Sequence, residues 1–321
     1  IICSFYEKDL NLKKYIDPFK RIKPSEFKYN NKLNENDKTF GYGRYKDVIK
    51  DFTIEKNTLK KYKGRNSFVI IPSSVTIIGK EAFKDNTNIK MVFISDNVRQ
   101  IKEGAFQNCS NLEMVRLSKK VKVIDKRVFA NCSHLIRINL ENIKAVDEQG
   151  FSKCLSIRDL NLNELVIVKN NAFECCIKQK DYSFIKNLVE IGDYAFSYCP
   201  IYNLELNAKK IGEKAFFKCQ DIKKIEINKK VELNATPFYD CRNVSTLEIN
   251  VNIDQMIYQL FSDNQESFNK NYQALDNIKV VSLKEGEFNN NKNIQNVIVT
   301  NYKKIPNQAF KKCSNLINVQ L

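Results

Sequence analysis

One side chain recurs at a near-constant interval through most of this chain. The series is Phe83, Phe106, Phe129, Phe151, Phe173, Phe196, Phe216, Phe238, Phe261, Phe288 and Phe310, with steps of 23, 23, 22, 22, 23, 20, 22, 23, 27 and 22 residues. The surroundings repeat with it: Ala105-Phe106-Gln107-Asn108-Cys109 returns as Val128-Phe129-Ala130-Asn131-Cys132. Five positions before each Phe is an apolar residue, from Ile78, Ile101 and Ile124 through Leu233 and Met256 to Leu283 and Ile305. After most markers comes L-x-x-L-x-L, as in Leu112-Val115-Leu117 and Ile222-Ile225-Ile227. A unit of about 22 residues cannot bury its own apolar face, so neighbours must stack into one continuous core. The L-x-L alternation reads as a short strand with one face inward, and successive strands pair in parallel at ~4.8 Å.

The run Ile71-Pro72-Ser73-Ser74-Val75 to Ile78-Gly79 and Ala82-Phe83, followed elsewhere by x-x-C-x-x-L-x-x-L-x-L, resembles BspA-type leucine-rich repeats, also called the Treponema pallidum type. The likeness covers 67–321 in about eleven units and weakens at 177–187 and 250–282. With the periodicity it implies an α/β leucine-rich-repeat solenoid, a curved parallel β-sheet with short turns or helices on the convex side and a period of about 22–23 residues. The resemblance also implies non-enzymatic recognition, in particular cell-surface adhesion by a surface or secreted protein.

Of ten cysteines, eight (Cys109, Cys132, Cys154, Cys176, Cys199, Cys219, Cys241 and Cys313) lie three after a marker Phe. That is a repeat period and not the close spacing of a metal knuckle. Side chains aimed the same way from neighbouring rungs also fit disulfide geometry poorly. A reduced, buried ladder is expected, with Cys3 and Cys175 off phase. Unpaired cysteines suit an intracellular chain as well as a surface one. No run of 18 apolar residues offers a transmembrane helix. The first residues, Ile1-Ile2-Cys3, do not read as a signal peptide. A start without Met and an end inside a strand pattern suggest a fragment or a processed chain.

Residues 1–66 lack the Phe marker and hold 17 Lys/Arg against 9 Asp/Glu, half of the net charge of +16. They read as a basic N-terminal cap or a small flanking module, and Tyr45 to Ile54 reads as a helix followed by a strand. Gly41-Tyr42-Gly43-Arg44-Tyr45 is either a turn or a patch able to stack bases. The long step after Phe261 contains a polar stretch expected to bulge out as a loop at about 262–274.

Acid–base chemistry built on imidazole has one candidate, His134, which reads as an exposed turn residue. No phosphate-binding glycine loop is present. The chain therefore reads as a non-enzyme without cofactor, metal or small-molecule substrate. Its recognition surface would be the concave face, whose outward central positions are Phe93, Arg116, Asn139, Asn161, Glu205, Glu226 and Glu248. Glutamates on three consecutive rungs form an acidic strip suited to a basic protein partner, and Lys224 is the nearest candidate to offset their repulsion. The turns after the strands gather Lys119, Lys120, Lys209, Lys210, Lys229, Lys230, Lys303 and Lys304. Such a ridge could hold a polyanion or nucleic acid, or guard the sheet edge against aggregation. A structural subunit of a larger assembly is the remaining alternative.

Overall fold

A computed structural model describes residues 50–301 and 304–321. The chain is a parallel β-solenoid of leucine-rich-repeat type with little helix. It starts with an antiparallel hairpin, Phe52–Glu55 and Thr58–Tyr62, turning through Lys56 and Asn57 at φ 44° and 64°. Two consecutive left-handed residues make the tight turn whose twist matches that of the paired strands. The second strand pairs in parallel with Ile77–Ile78, and the Tyr62 ring lies 5.1 Å from Phe83. Phe52, Leu59 and Tyr62 are buried and extend the repeat core upstream of residue 67. Residues 1–49, including the stretch from Gly41 to Tyr45, lie outside the described residues.

Each rung contributes to two sides. On one side the L-x-L strands pair in parallel, first as Phe68–Ile70, Met91–Phe93, Met114–Arg116 and Arg137–Ile138. The same side resumes as Asn203–Leu206, Lys224–Ile227, Thr246–Ile249, Asn277–Val280, Asn296–Val299 and Asn318–Gln320. On the other side two-residue strands stack, from Val123–Ile124 through Ala145–Val146, Ile167–Val168, Glu190–Ile191 and Lys210–Ile211 to Glu232–Leu233. The apolar residues five before Phe sit on these short strands, and from Ile78 to Leu233 all are buried.

Between the sides runs the spine. From Phe83 to Phe238 consecutive rings are 4.7 to 5.7 Å apart, with planes inclined by at most 25°. Offset stacking at this separation adds about 0.5–1.5 kcal/mol per pair beyond area burial. The turn that carries each Phe alternates its backbone handedness. Residues two before and two after the marker have positive φ in ten rungs, as at Arg127 and Asn131, or Gln149 and Lys153. The alternation aims every second amide along the solenoid axis. Arg127, Phe129 and Asn131 donate to the carbonyls of Glu148, Gly150 and Ser152 in the next rung at 2.8–2.9 Å. Gly104 and Gly286 occupy the same left-handed position at φ 62° and 66°; elsewhere ordinary side chains tolerate it.

Two segments depart from the regular rung. At 177–187 Tyr182, Phe184 and Ile185 replace the leucines in the core, and the strand becomes a single 3-10 turn at Ser183–Asn187. The stretch expected as an outward loop at about 262–274 instead forms the helix Gln265–Asn271, capped by the Asn264 side chain accepting from the Ser267 amide. Phe268 and, four residues on, the C-cap residue Tyr272 are buried against Phe261 at 5.8 and 5.1 Å. An apolar pair at that spacing outweighs the polar composition around it. The short-strand ladder ends before this helix; Met256 and Leu283 are half-buried and Ile305 is exposed.

Phe129→Ala should lower unfolding stability by about 3–5 kcal/mol, measured by chemical denaturation, because it opens a cavity between two stacked rings. Lys153→Gly, at φ 59° on the surface, should raise it by about 1 kcal/mol through relief of left-handed strain.

Candidate interaction faces

The outward residues of the L-x-L strands line up as the alternation requires, but they are not equally free. Arg116 lies over the Phe93 ring at 4.7 Å and forms two bonds to Asp96, at 2.7 and 2.9 Å. Its side chain is 11% exposed. Burial alone would push the Asp96 carboxyl up; hydrogen bonds from Arg116 and its charge outweigh that and hold it below its usual range. Asn139 is also committed inward, its Oδ1 accepting from the Leu117 amide at 2.6 Å and its Nδ2 donating to the Leu117 carbonyl. It replaces a strand pairing where this sheet stops. Asn161 is exposed in a rung without an L-x-L strand, where buried Gln179 accepts from the Leu160 amide.

The acidic strip forms in register. Glu205 pairs with Glu226, Glu226 with Glu248, and Glu248 with Lys279. Lys224 bridges two of the three carboxylates, at 3.3 Å from Glu226 and 2.6 Å from Glu248, and those contacts raise its own pKa. Lys279 stands 4.0 Å from Glu248. Exposed Glu205 forms no salt bridge among the described residues and takes only a hydrogen bond from Asn207 at 3.4 Å. The strip therefore keeps most of its negative character at its Glu205 end.

Lys119, Lys120, Lys209, Lys210, Lys229, Lys230 and Lys304 are all exposed and form no salt bridge among the described residues; Lys303 lies outside them. The ridge is not continuous. Glu141 and Glu164 occupy turns between Lys120 and Lys209, and Lys210 pairs in register with Glu190 and Glu232. His134 is exposed, and its Nδ1 lies 2.7 Å from the Ser110 carbonyl of the preceding rung. A carbonyl only accepts, so this contact needs the proton on Nδ1. Asn111 and Asn243 make the same rung-to-rung bond at 2.8 Å, so His134 stands in for an asparagine.

A family model described as BspA type Leucine rich repeat region matches in six copies, over residues 52–178, 145–267 and 265–321. The chain belongs to this family. Among solved structures it is similar to a leucine-rich repeat protein from Bacteroides ovatus, at 20% identity over 84% of this chain and 94% of that one, with a TM-score of 0.41. The T. pallidum leucine rich repeat protein is 20% identical over 61% of this chain and 88% of its own, with a TM-score of 0.43. A leucine rich cell surface protein from Faecalibacterium prausnitzii is 17% identical over 84% and 92%, with a TM-score of 0.38. No curated protein matches the sequence significantly. Likenesses of this size leave family membership resting on the repeats themselves.

In this BspA-type solenoid the phased cysteines do more than fill space. Each Sγ lies 2.9–3.5 Å from the carbonyl of the preceding rung's Phe, as Cys132 does to Phe106 and Cys154 to Phe129, both at 3.1 Å. All cysteines among the described residues are unpaired. Where the repeat has Asn86 or Asn291 instead, the side chain accepts from two amides of the turn before the next strand, those of Asn88 and Ile89 or of Asn293 and Ile294. Burial pushes the thiols up: Cys109, Cys199 and Cys241 to about 12, and Cys132, Cys176 and Cys219 well above the ordinary value. Sequence reasoning located this ladder but not its hydrogen bonds.

Two outcomes follow for the thiols. The seven buried ones should resist alkylation by iodoacetamide at pH 8 until the chain is unfolded. Because their pKa values are raised on folding, the stability they lend is complete below about pH 8.5 and is lost as pH rises from there towards the folded values. The denaturation midpoint should therefore fall steeply between pH 9 and pH 11, each thiol adding about 1.4 kcal/mol per pH unit to the slope.

Proposed function

We propose that the protein is a recognition scaffold that binds a basic segment of a partner protein along the concave face of its leucine strands, centred on Glu205 and Glu226. The observation that carries this reading is the run of three carboxylates in register with one lysine, Lys224, between two of them. Such a row is unfavourable by itself. An incoming Lys or Arg relieves it, and the charge specifies orientation more than it adds affinity. The first half of the face, with Arg116 and Asn139 tied to the protein's own groups and the Phe93 ring under Arg116, contributes shape. Adhesion at a cell surface is the biological setting that family membership favours. No group of three or more His, Cys, Asp or Glu able to hold a metal lies among the described residues. No described helix is long and apolar enough to cross a membrane.

The lysine turns support a second reading, binding of a polyanion, since Lys119, Lys120, Lys229 and Lys230 are exposed without salt-bridge partners among the described residues. The interruption by Glu141 and Glu164 limits it to two separate clusters. Calorimetric titration with an oligolysine peptide tests the first reading. Glu205→Lys with Glu226→Lys should weaken binding by at least about tenfold. Unchanged affinity would overturn it. Retention on heparin, lost in Lys229→Glu with Lys230→Glu, would favour the second.

A further inference from the structure

A third face differs from both of these. The turns that carry the Phe markers present their outward residues on the lateral edge of the solenoid. In the earlier rungs these are polar: Asp85, then Gln107 and Asn108, then Asn131. Over the rungs from Phe151 to Phe238 apolar and aromatic residues join the polar ones on this edge. Leu155, Ile177, Tyr198 and Tyr202 are 38%, 46%, 42% and 63% exposed. Phe217 lies 5.4 Å from Tyr198 with the rings perpendicular, and 6.0 Å from Tyr239. Leu155, Ile177, Tyr198 and Tyr202 are four of the ten large apolar side chains exposed among the described residues, all within six residues after the markers Phe151, Phe173 and Phe196 of three consecutive rungs. A contiguous apolar patch with a charged rim marks an interaction site.

The rim carries several lysines, with Glu174, whose carboxylate accepts from Ser152 Oγ, as an anion among them. One column of the edge reads Lys153, Cys175, Tyr198, Lys218, linked rung to rung by backbone hydrogen bonds in which the amides of Lys153, Cys175 and Tyr198 donate to the carbonyls of Glu174, Ser197 and Phe217. Lys218 reaches over Tyr198 and Phe217 at 5.7 and 5.2 Å, and Lys214 lies 5.9 Å from Tyr194. Lys214 has Glu213 at 2.9 Å. Lys153, Lys178 and Lys218 have no salt-bridge partner among the described residues. Bare aromatic edges would suit a glycan or nucleic acid as well, but Leu155 and Ile177 extend the apolar strip where neither ligand offers matching surface. Tyr and Phe with flanking cations is the composition of a protein-binding patch.

We propose that the lateral edge formed by Leu155, Ile177, Tyr198, Tyr202 and Phe217 docks an extended acidic segment of a partner protein. Its apolar or aromatic side chains lie on the rings, and its carboxylates pair with Lys153, Lys178 and Lys218. This surface is separate from the concave strip and has the opposite charge preference, so the scaffold holds two different segments at once.

The test uses the whole chain, with labelled poly(Glu,Tyr), poly-Glu and a single-stranded oligothymidylate followed by fluorescence anisotropy. Poly(Glu,Tyr) should bind about tenfold more tightly than poly-Glu. Tyr198→Asn with Tyr202→Asn should remove that difference, and Glu226→Lys should leave it. Asn tolerates the left-handed backbone at 198, and an unchanged melting curve confirms that the fold is intact. Equal binding of the two acidic polymers, insensitivity to the Tyr substitutions, no binding of any probe, or tighter ring-dependent binding of oligothymidylate would each overturn the proposal. Failure here leaves the concave-face reading standing, because oligolysine probes a different set of residues.

Discussion

The structure depends on one contact made again and again: the face of each marker phenylalanine against the next, about one strand spacing away. No rung has enough apolar surface to fold alone. The ring stack sets the distance between rungs, and two-sided strand pairing and the left-handed turns follow that distance. Arg127, Phe129 and Asn131 show the consequence, since all three amides meet carbonyls of the next rung. The thiol ladder runs along the same axis. A Cys three after the ring reaches the carbonyl of the previous Phe, so each rung is tied forward by amides and backward by sulfur.

Because the spine is continuous, local irregularity is absorbed without breaking it. The rung at 177–187 trades leucines for Tyr182 and Phe184 and gives up its strand, yet Phe173 and Phe196 remain 5.5 Å apart with parallel planes. The rung after Phe261 is more disruptive. Its helix inserts Phe268 and Tyr272 beside Phe261, and the regular ring sequence resumes at Phe288 and Phe310, 5.8 Å apart. The short-strand side stops where this insertion begins, because its apolar positions are no longer held over the spine.

A stack of this kind separates chemistry from stability. Potentially reactive groups are drawn inward and made inert, as burial does to the phased thiols. Outward positions vary freely and give faces of different character: an acidic strip on the leucine strands, lysines at the following turns, and rings on the opposite edge. Arg116 shows that outward does not mean available, since Asp96 and Phe93 already hold it.

The period of the phenylalanines and the phased cysteines determined the solenoid, its rung length, its buried ladder and the columns of outward residues, because a two-residue alternation leaves each side chain only one face to occupy. The aromatic edge was legible too, in Tyr198, Phe217 and Tyr239 standing where other rungs carry polar residues, but it shows only when the turn positions are aligned column by column. Tertiary structure alone decided which outward groups are spent. Lys224 between Glu226 and Glu248, Arg116 on Asp96, and Asn139 on the Leu117 backbone are contacts across rungs some 20 residues apart. It also turned the polar stretch after Phe261 into a helix, because burying Phe268 and Tyr272 against the spine outweighs a composition that by itself favours a loop.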